Sequence, residues 1–303
     1  MSNPSIENIP MIPSPSIPRL TSVLRILLAT VVAIALTGTL GSCGGARELT
    51  ILHTNDTHSQ IYPLPVNLAD TAKAGRGGFL RRIAMIKEER AKDPDLLLFD
   101  SGDFSQGSPY YTLFKGDVEA GLMNEMHYDA GTIGNHEFDF GLENMARVFR
   151  ELKFPILCAN YDFTGTPVEG TVKKNTIIHR KGFKIGVFGI CPKMDGLVDV
   201  NKCRGVKFLD PIKCAQEQVD ELRKEGCNYI ICISHLGWTN YPDLVTDQKL
   251  IAATHGIDLV LGGHSHTFFT HLKYVKDKNG TMVPVDQNGK SGIYIGKIHV
   301  TKK

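Results

Sequence analysis

Five short polar clusters, each placed just past an apolar run, constrain this chain more than any other feature. They are Asp56 with His58, Gly102-Asp103, Gly134-Asn135-His136-Glu137-Phe138-Asp139, Ser234-His235 and Gly262-Gly263-His264-Ser265-His266. The runs before them are Leu49-Thr50-Ile51-Leu52, Leu96-Leu97-Leu98-Phe99, Ala130-Gly131-Thr132-Ile133, Tyr229-Ile230-Ile231-Cys232-Ile233 and Ile257-Asp258-Leu259-Val260-Leu261. Each run reads as a buried strand, so each cluster sits at a strand's C-terminal end. Ligands of open α/β sheets collect at that edge. The pattern predicts one shared site built from residues far apart in sequence.

The remaining segments supply the layers around such a sheet. Arg76 to Ala91, Leu142 to Leu152 and Ile212 to Arg223 carry helical apolar spacing, the last opened by Asp210-Pro211. Asp117 is expected to cap a helix running to Met126, and Phe154 to Asn160 reads as a further strand. From Thr171 the chain is richer in strand signals. Asn175 to His179 and Phe183 to Ile190 read as a hairpin through Lys181-Gly182. The closing strands are expected over Phe268 to Val275, Met282 to Val285 and Gly292 to Thr301. Alternating helices and strands, then β-rich closing segments, suggest two packed sheets flanked by helices in one domain.

The first 43 residues differ in kind. Ile26 to Leu40 is apolar and uncharged, follows Arg19 and Arg25, and runs into Leu40-Gly41-Ser42-Cys43. That is the pattern of a secretory signal with a lipobox, too short for a stable membrane helix. A lipidated Cys43 implies an exported protein anchored to a membrane, with residues 44–48 as linker and 49–303 as the folded domain. Met11 is an alternative start. The other six cysteines are Cys158, Cys191, Cys203, Cys214, Cys227 and Cys232, and their spacing selects no pairing. Cys158 and Cys232 lie in apolar runs and read as buried hydrophobes. No CxxC occurs, which argues against a thiolate zinc site. A net charge of +2 and the lack of a basic run exclude an electrostatic surface for a nucleic-acid polymer.

Oxygen and imidazole ligands without thiolates suit Mn, Mg, Zn, Fe or Co. In extended backbone, Asp56 and His58 point to one side, as do His264 and His266, so each pair can chelate together. Asn135 and His136 are adjacent and diverge, one toward metal and one toward substrate. Asp56 and Asp103 bring two negative charges, whereas His58, Asn135, His235, His264 and His266 are neutral. Two divalent ions then leave the site about two units positive, ready for an anionic substrate. Taken singly, an Asp-x-His or a Gly-Asn-His is ordinary turn chemistry; joint occurrence at strand ends gives them a common cause.

With these residues in hand, the chain resembles the N-terminal metallophosphatase domain of bacterial and animal 5'-nucleotidases, in the calcineurin-like phosphoesterase superfamily. The matching stretches are Leu52 to His58, Asp100 to Asp103, Lys115-Gly116, Gly134 to Asp139, Phe154 to Asn160, Ser234 to Gly237 and Gly262 to His266. The resemblance implies a four-layer αββα sandwich of two mixed sheets flanked by helices. It implies that Asp56, His58 and His266 hold one divalent ion and Asn135, His235 and His264 the other, with Asp103 bridging. It makes His136, oriented by Asp139, the catalytic dyad, and water acidified by the metals the nucleophile. Some relatives end the last motif in Gln where this chain has His266. Full-length 5'-nucleotidases continue into a C-terminal substrate-binding domain that this chain lacks. The expected function is hydrolysis of nucleotides or other phosphate monoesters with a separately encoded C-terminal partner. The alternatives are a 2',3'-cyclic phosphodiesterase or 3'-nucleotidase, and a lipid-anchored binding or assembly protein without turnover.

Among the remaining residues, His53 reads as packing or support beside the site, His255 as a cation at a helix end, and Trp238 as core or pocket wall.

Overall fold

Alternation of apolar residues along the strands decides the architecture. In β1 (Arg47–Thr54), Leu49 and Ile51 face one side and Leu52 the other; in β2 (Leu97–Asp100), Leu97 and Phe99 oppose Leu98. A strand with apolar residues on both faces must be covered on both. The computed structural model, which describes residues 47–238 and 242–302, shows how this is done.

The elements continue with α1 (Phe79–Lys92), α2 (Pro109–Phe114), α3 (Asp117–Met126), β3 (Ala130–Thr132), a 3-10 turn over His136–Phe138, and α4 (Gly141–Glu151). Then come β4 (Ile156–Leu157), β5 (Tyr161–Asp162), β6 (Val172–Lys173), β7 (Asn175–Arg180), β8 (Phe183–Ile190) and β9 (Lys207–Phe208). The chain closes with α5 (Pro211–Lys224), β10 (Tyr229–Ser234), α6 (Asp247–Ala253), β11 (Leu259–Leu261), β12 (Lys273–Lys276), β13 (Met282–Asp286) and β14 (Gly296–Lys302).

One six-stranded sheet has the order β14-β1-β2-β3-β4-β6, and the other β12-β13-β11-β10-β8-β7. Both are mixed: β14, β7 and β12 pair antiparallel at the margins of otherwise parallel sheets. Between the sheets lie Ile51, Phe99, Ala130 and Leu157 from the first, and Ile185, Val187, Ile231 and Leu259 from the second. Helices α1, α3 and α4 cover the outer face of the first sheet, and α5 and α6 that of the second. The expected four-layer αββα sandwich is the observed fold.

At one point the two sheets touch backbone to backbone. A Cβ on Gly189 of β8 lies 2.0 Å from the carbonyl oxygen of Leu157 in β4, so only glycine fits this contact.

Local signals explain most element ends. Asp210 caps α5 by accepting from the backbone N–H groups of Ile212 and Lys213, with Pro211 at the first helical position. Lys181 (φ 46°) and Gly182 (φ 77°) give the β7–β8 hairpin two left-handed turn residues. Other expectations need correction. Helix α1 begins at Phe79 rather than Arg76, because Gly77 and Gly78 have φ of 78° and 94°. Gly116, at φ 104°, caps α3 in place of Asp117, which sits in the first turn and pairs with Arg147. The strand expected over Phe154 to Asn160 keeps only Ile156–Leu157 in the ladder. Strand β1 starts at Arg47, inside the segment assigned as linker. Helices α2 and α6 were not anticipated, being too short for a helical period to register.

The signal segment, Cys43 and Gly44-Gly45-Ala46 lie outside the described residues. Among the described residues no helix is long and apolar enough to cross a membrane. The described cysteines are all free thiols, and Cys158 and Cys232 are buried as expected.

Asp247 opens α6 fully buried, with Oδ1 accepting from the Ser234 hydroxyl at 2.6 Å and Oδ2 unpartnered. Burial raises its pKa from 3.8 to about 7. A carboxyl raised this way binds its proton in the folded chain while the unfolded chain has released it, so stability falls as pH rises between those values. The upper bound is about 4 kcal/mol. Asp247→Asn should therefore flatten the fall in Tm of metal-free protein between pH 4 and 7; an unchanged slope contradicts the assignment.

Candidate metal centre

The polar clusters meet at one edge because hydrogen bonding continues past the strand ends. Beyond β1 and β2, Ser101 N–H donates to the Thr54 carbonyl, Asp56 N–H to Gly102 and His58 N–H to Asp103, at 2.8–2.9 Å. The two loops thus advance as a pair. Ser101 Oγ reaches across to the Leu261 carbonyl at 3.0 Å, tying the first sheet's loop to β11 of the second. Gly263 allows this approach, since a Cβ there lies 2.8 Å from the Ser101 oxygen and 3.2 Å from Asp56 Oδ2.

The side chains converge on two adjoining groups. In the first, Asp56 Oδ1 is 3.3 Å from His266 Nε2 and 3.8 Å from His58 Nε2, and the two imidazole nitrogens face each other at 3.0 Å. In the second, Asp103 Oδ2 is 3.2 Å from His235 Nε2, and His264 completes the set. Asp103 links the groups, because the same oxygen is 3.8 Å from His58 Nε2. Asn135 adds a buried Oδ1 that makes no hydrogen bond.

The arrangement differs from expectation in one respect. Asp56 (φ 49°), His58 (φ 43°), Asp103 (φ 56°), His264 (φ 71°) and His266 (φ 53°) are left-handed, not extended. Asp56 and His58 still converge, but through a tight turn. His264 and His266 separate into different groups instead of chelating together. Left-handed backbone at non-glycine residues costs about 1–3 kcal/mol each and persists where surrounding contacts over-determine it. Here those contacts include Ser291 N–H on the Asp56 carbonyl at 2.7 Å and His264 N–H on Asp56 Oδ2 at 2.9 Å.

The donor set fits divalent cations. His235 Nδ1–H donates to the Ser101 carbonyl at 2.5 Å, which turns the buried Nε2 toward Asp103 Oδ2, 3.2 Å away. Buried polar atoms are rarely left unpaired, and the buried Asn135 Oδ1 is in that condition. Burial lowers the pKa of His58 and of His264 to about 4, favouring the neutral imidazole that a metal requires. Burial alone would raise Asp103, yet His235, His58 and His136 around it hold its carboxyl well below the usual range. Burial also works against a charge on His235, and Asp103 and Asp56 outweigh it, raising that imidazole. In metal-free protein a protonated His235 thus stands where a cation belongs.

His136 forms a third possible ligand group with His58 and Asp103, its ring edge-on to His58 with centroids 5.3 Å apart. Its Nδ1 lies 3.1–3.2 Å from the two Asp139 oxygens, and a carboxylate there can only accept, so Nδ1 carries the proton. Burial lowers the His136 pKa, but Asp139 and then Asp103 outweigh it, and the net direction is upward.

Glu137 was not singled out from the sequence. Its buried carboxylate accepts from the backbone N–H groups of Gly134, Asp103 and Ser105 at 2.6, 3.1 and 3.2 Å, locking two ligand-bearing loops together. Gln287 was missed as well: its Oε1 accepts from Thr267 N–H at 2.7 Å, and its amide donates to the Gly263 carbonyl, clamping the His264–His266 turn. Gln287 follows β13, so the strand-end rule that located the other clusters applies to it too. His53 is buried beside the centre, 2.9 Å from Asp286 Oδ2. Trp238 packs edge-on against Phe269 in the core behind α6, with centroids 5.0 Å apart.

Residues 49–268 match the calcineurin-like phosphoesterase family. Human 5'-nucleotidase is 33% identical over 286 residues, which cover 88% of this chain and 49% of that protein. The structure of a 5'-nucleotidase precursor from Thermus thermophilus superposes with a TM-score of 0.76 at 31% identity, over 84% of this chain and 52% of that one. That of Haemophilus influenzae NAD nucleotidase gives 0.72 at 29%, over 84% and 47%. The chain thus spans about half the length of these relatives. The family match covers every cluster that builds the centre, and the chain belongs to the calcineurin-like phosphoesterase family.

Proposed function

We propose that this chain is a metal-dependent phosphomonoesterase that hydrolyses nucleotides to nucleoside and phosphate. The observation that carries this reading is the pair of ligand groups sharing Asp103, with the His136–Asp139 dyad beside them. Asp56, His58 and His266 would hold one divalent ion, Asn135, His235 and His264 the other, and the Asp103 carboxylate is placed to serve both. When bound, such ions polarise a phosphoryl group and acidify a water molecule.

The protein's own groups do the rest. Asp139 fixes the Nδ1 proton of His136, which leaves Nε2 to face the phosphoryl group. As an imidazolium, His136 offsets charge developing on the phosphoryl oxygens and gives the Nε2 proton to the departing ester oxygen. The left-handed ligand turns are held by backbone hydrogen bonds before substrate arrives, so the site is pre-organised. The similarity to 5'-nucleotidases supports a nucleotide substrate. The lipobox supports export and anchoring through Cys43.

The test is phosphate release from 5'-AMP, 3'-AMP and a 2',3'-cyclic nucleotide, with and without a C-terminal-domain partner. The 5'-nucleotide should be preferred, and a chelator should abolish turnover. Preference for the cyclic substrate would reassign the chain as a phosphodiesterase, and no release under any condition would leave it a binding protein. His136→Ala should lower kcat by about 10²–10⁴-fold with bound metal unchanged. Loss of metal together with activity would instead make His136 a ligand.

A further inference from the structure

The segment that follows β4 lies against the end of β8. Ala159 N–H donates to the Gly189 carbonyl at 2.8 Å, and the Asn160 side chain brackets Cys191, accepting its N–H at 2.9 Å and donating to its carbonyl at 2.8 Å. This pinning brings Cys158 and Cys191 together. Both are buried in the same core cluster, and their thiols are in hydrogen-bond contact with each other. Their other polar neighbours are held weakly, with Asn160 Oδ1 3.6 Å from Cys158 Sγ and Thr132 Oγ1 3.5 Å from Cys191 Sγ.

Spacing along the sequence selects no pairing among the cysteines, but packing does. Cys214, Cys227 and Cys232 belong to the cluster under α5 and α6. Cys203 is part-exposed and turns its sulfur toward the Asp199 and Val200 carbonyls. A disulfide requires neighbouring backbones and side chains that face each other. Cys158 and Cys191 meet both conditions, with their thiols in contact across segments joined by hydrogen bonds. Their place in the fold gives the contact weight. Thr132 ends β3, which leads to Asn135, and Ile190, next to Cys191, accepts the His235 N–H at 2.8 Å through its carbonyl.

We propose that Cys158 and Cys191 are an oxidation site, forming a disulfide that staples the two sheets beside the strand ends that lead to Asn135 and His235. The oxidant is a disulfide, such as oxidised glutathione or the active disulfide of a thiol oxidoreductase. One cysteine thiolate attacks the oxidant's disulfide and releases a thiol. The other then attacks the mixed disulfide, which forms the Cys158–Cys191 bond and releases the second thiol. The two cysteines give up two protons and two electrons, and the oxidant's sulfurs leave as two thiols. Burial shields both sulfurs in the native chain, so the bond forms during folding or in brief opening events. Once made, it closes the chain between residues 158 and 191 and restricts the unfolded state.

The test holds the full chain, purified reduced, below its melting transition in a buffer of reduced and oxidised glutathione. The sample is then quenched with acid, unfolded in an alkylating reagent and mapped by peptide mass spectrometry. A Cys158–Cys191 cross-link is expected, with Cys203, Cys214, Cys227 and Cys232 joined to no other cysteine of the chain. The cross-link should raise Tm by about 5–10 °C, and dithiothreitol should reverse the rise. Recovery of Cys158 and Cys191 as alkylated thiols, or of either joined to a different cysteine or to glutathione alone, overturns the proposal. A cross-link that leaves Tm unchanged overturns the stapling role. Cys158→Ala and Cys191→Ala should each lose the rise, whereas Cys203→Ala keeps it; a rise that survives Cys158→Ala counts against the pair. The wild-type peptide map decides the pairing even where a core variant folds poorly.

Discussion

The Asp103 carboxylate is the point on which the rest of the structure depends. It is buried, serves both ligand groups through Oδ2, and accepts the His136 backbone N–H through Oδ1 at 2.9 Å. A buried carboxylate is tolerable only when charges and donors surround it. The surroundings are accordingly specialised. A Cβ on Gly134 would lie 2.1 Å from Asp103 Oδ1, and one on Gly102 would meet Gly134 N at 2.7 Å and His235 Nδ1 at 2.9 Å. The glycines before Asp103 and Asn135 are therefore part of the centre, because they let three loops close on one carboxylate.

That requirement also explains why two sheets are needed. The first sheet brings Asp56, His58, Asp103, Asn135 and His136 past the ends of β1, β2 and β3. The second brings His235 past β10 and His264 and His266 past β11. Stacking the sheets over their shared apolar layer sets the two ligand groups side by side. Hydrophobic packing thus positions the chemistry, and hydrogen bonds from Ser101 and Glu137 adjust it locally.

Much of this was legible in the sequence, for a physical reason. A strand buried on both faces shows as an apolar run, and the polar residues after it have only the sheet edge to occupy. The conformation of those residues was not legible. The left-handed turns at Asp56, His58, His264 and His266 arise from contacts with loops distant in sequence, such as Ser291 on Asp56, and a local pattern carries no trace of them. Glu137 was hidden because its role is to gather backbone N–H groups, which have no residue signature. Helices α2 and α6 are too short to display a period.

The central claim is that two ligand groups sharing Asp103 form one two-metal centre. Metal content per chain, measured after equilibrium dialysis against a divalent cation such as Mn(II), tests it most directly when paired with variants that retain a cooperative melting transition. The account predicts two ions in the wild-type chain, one in His266→Ala, and weakened binding at both positions in Asp103→Ala. Two ions bound with unchanged affinity by Asp103→Ala, or none bound by the wild type, would contradict it.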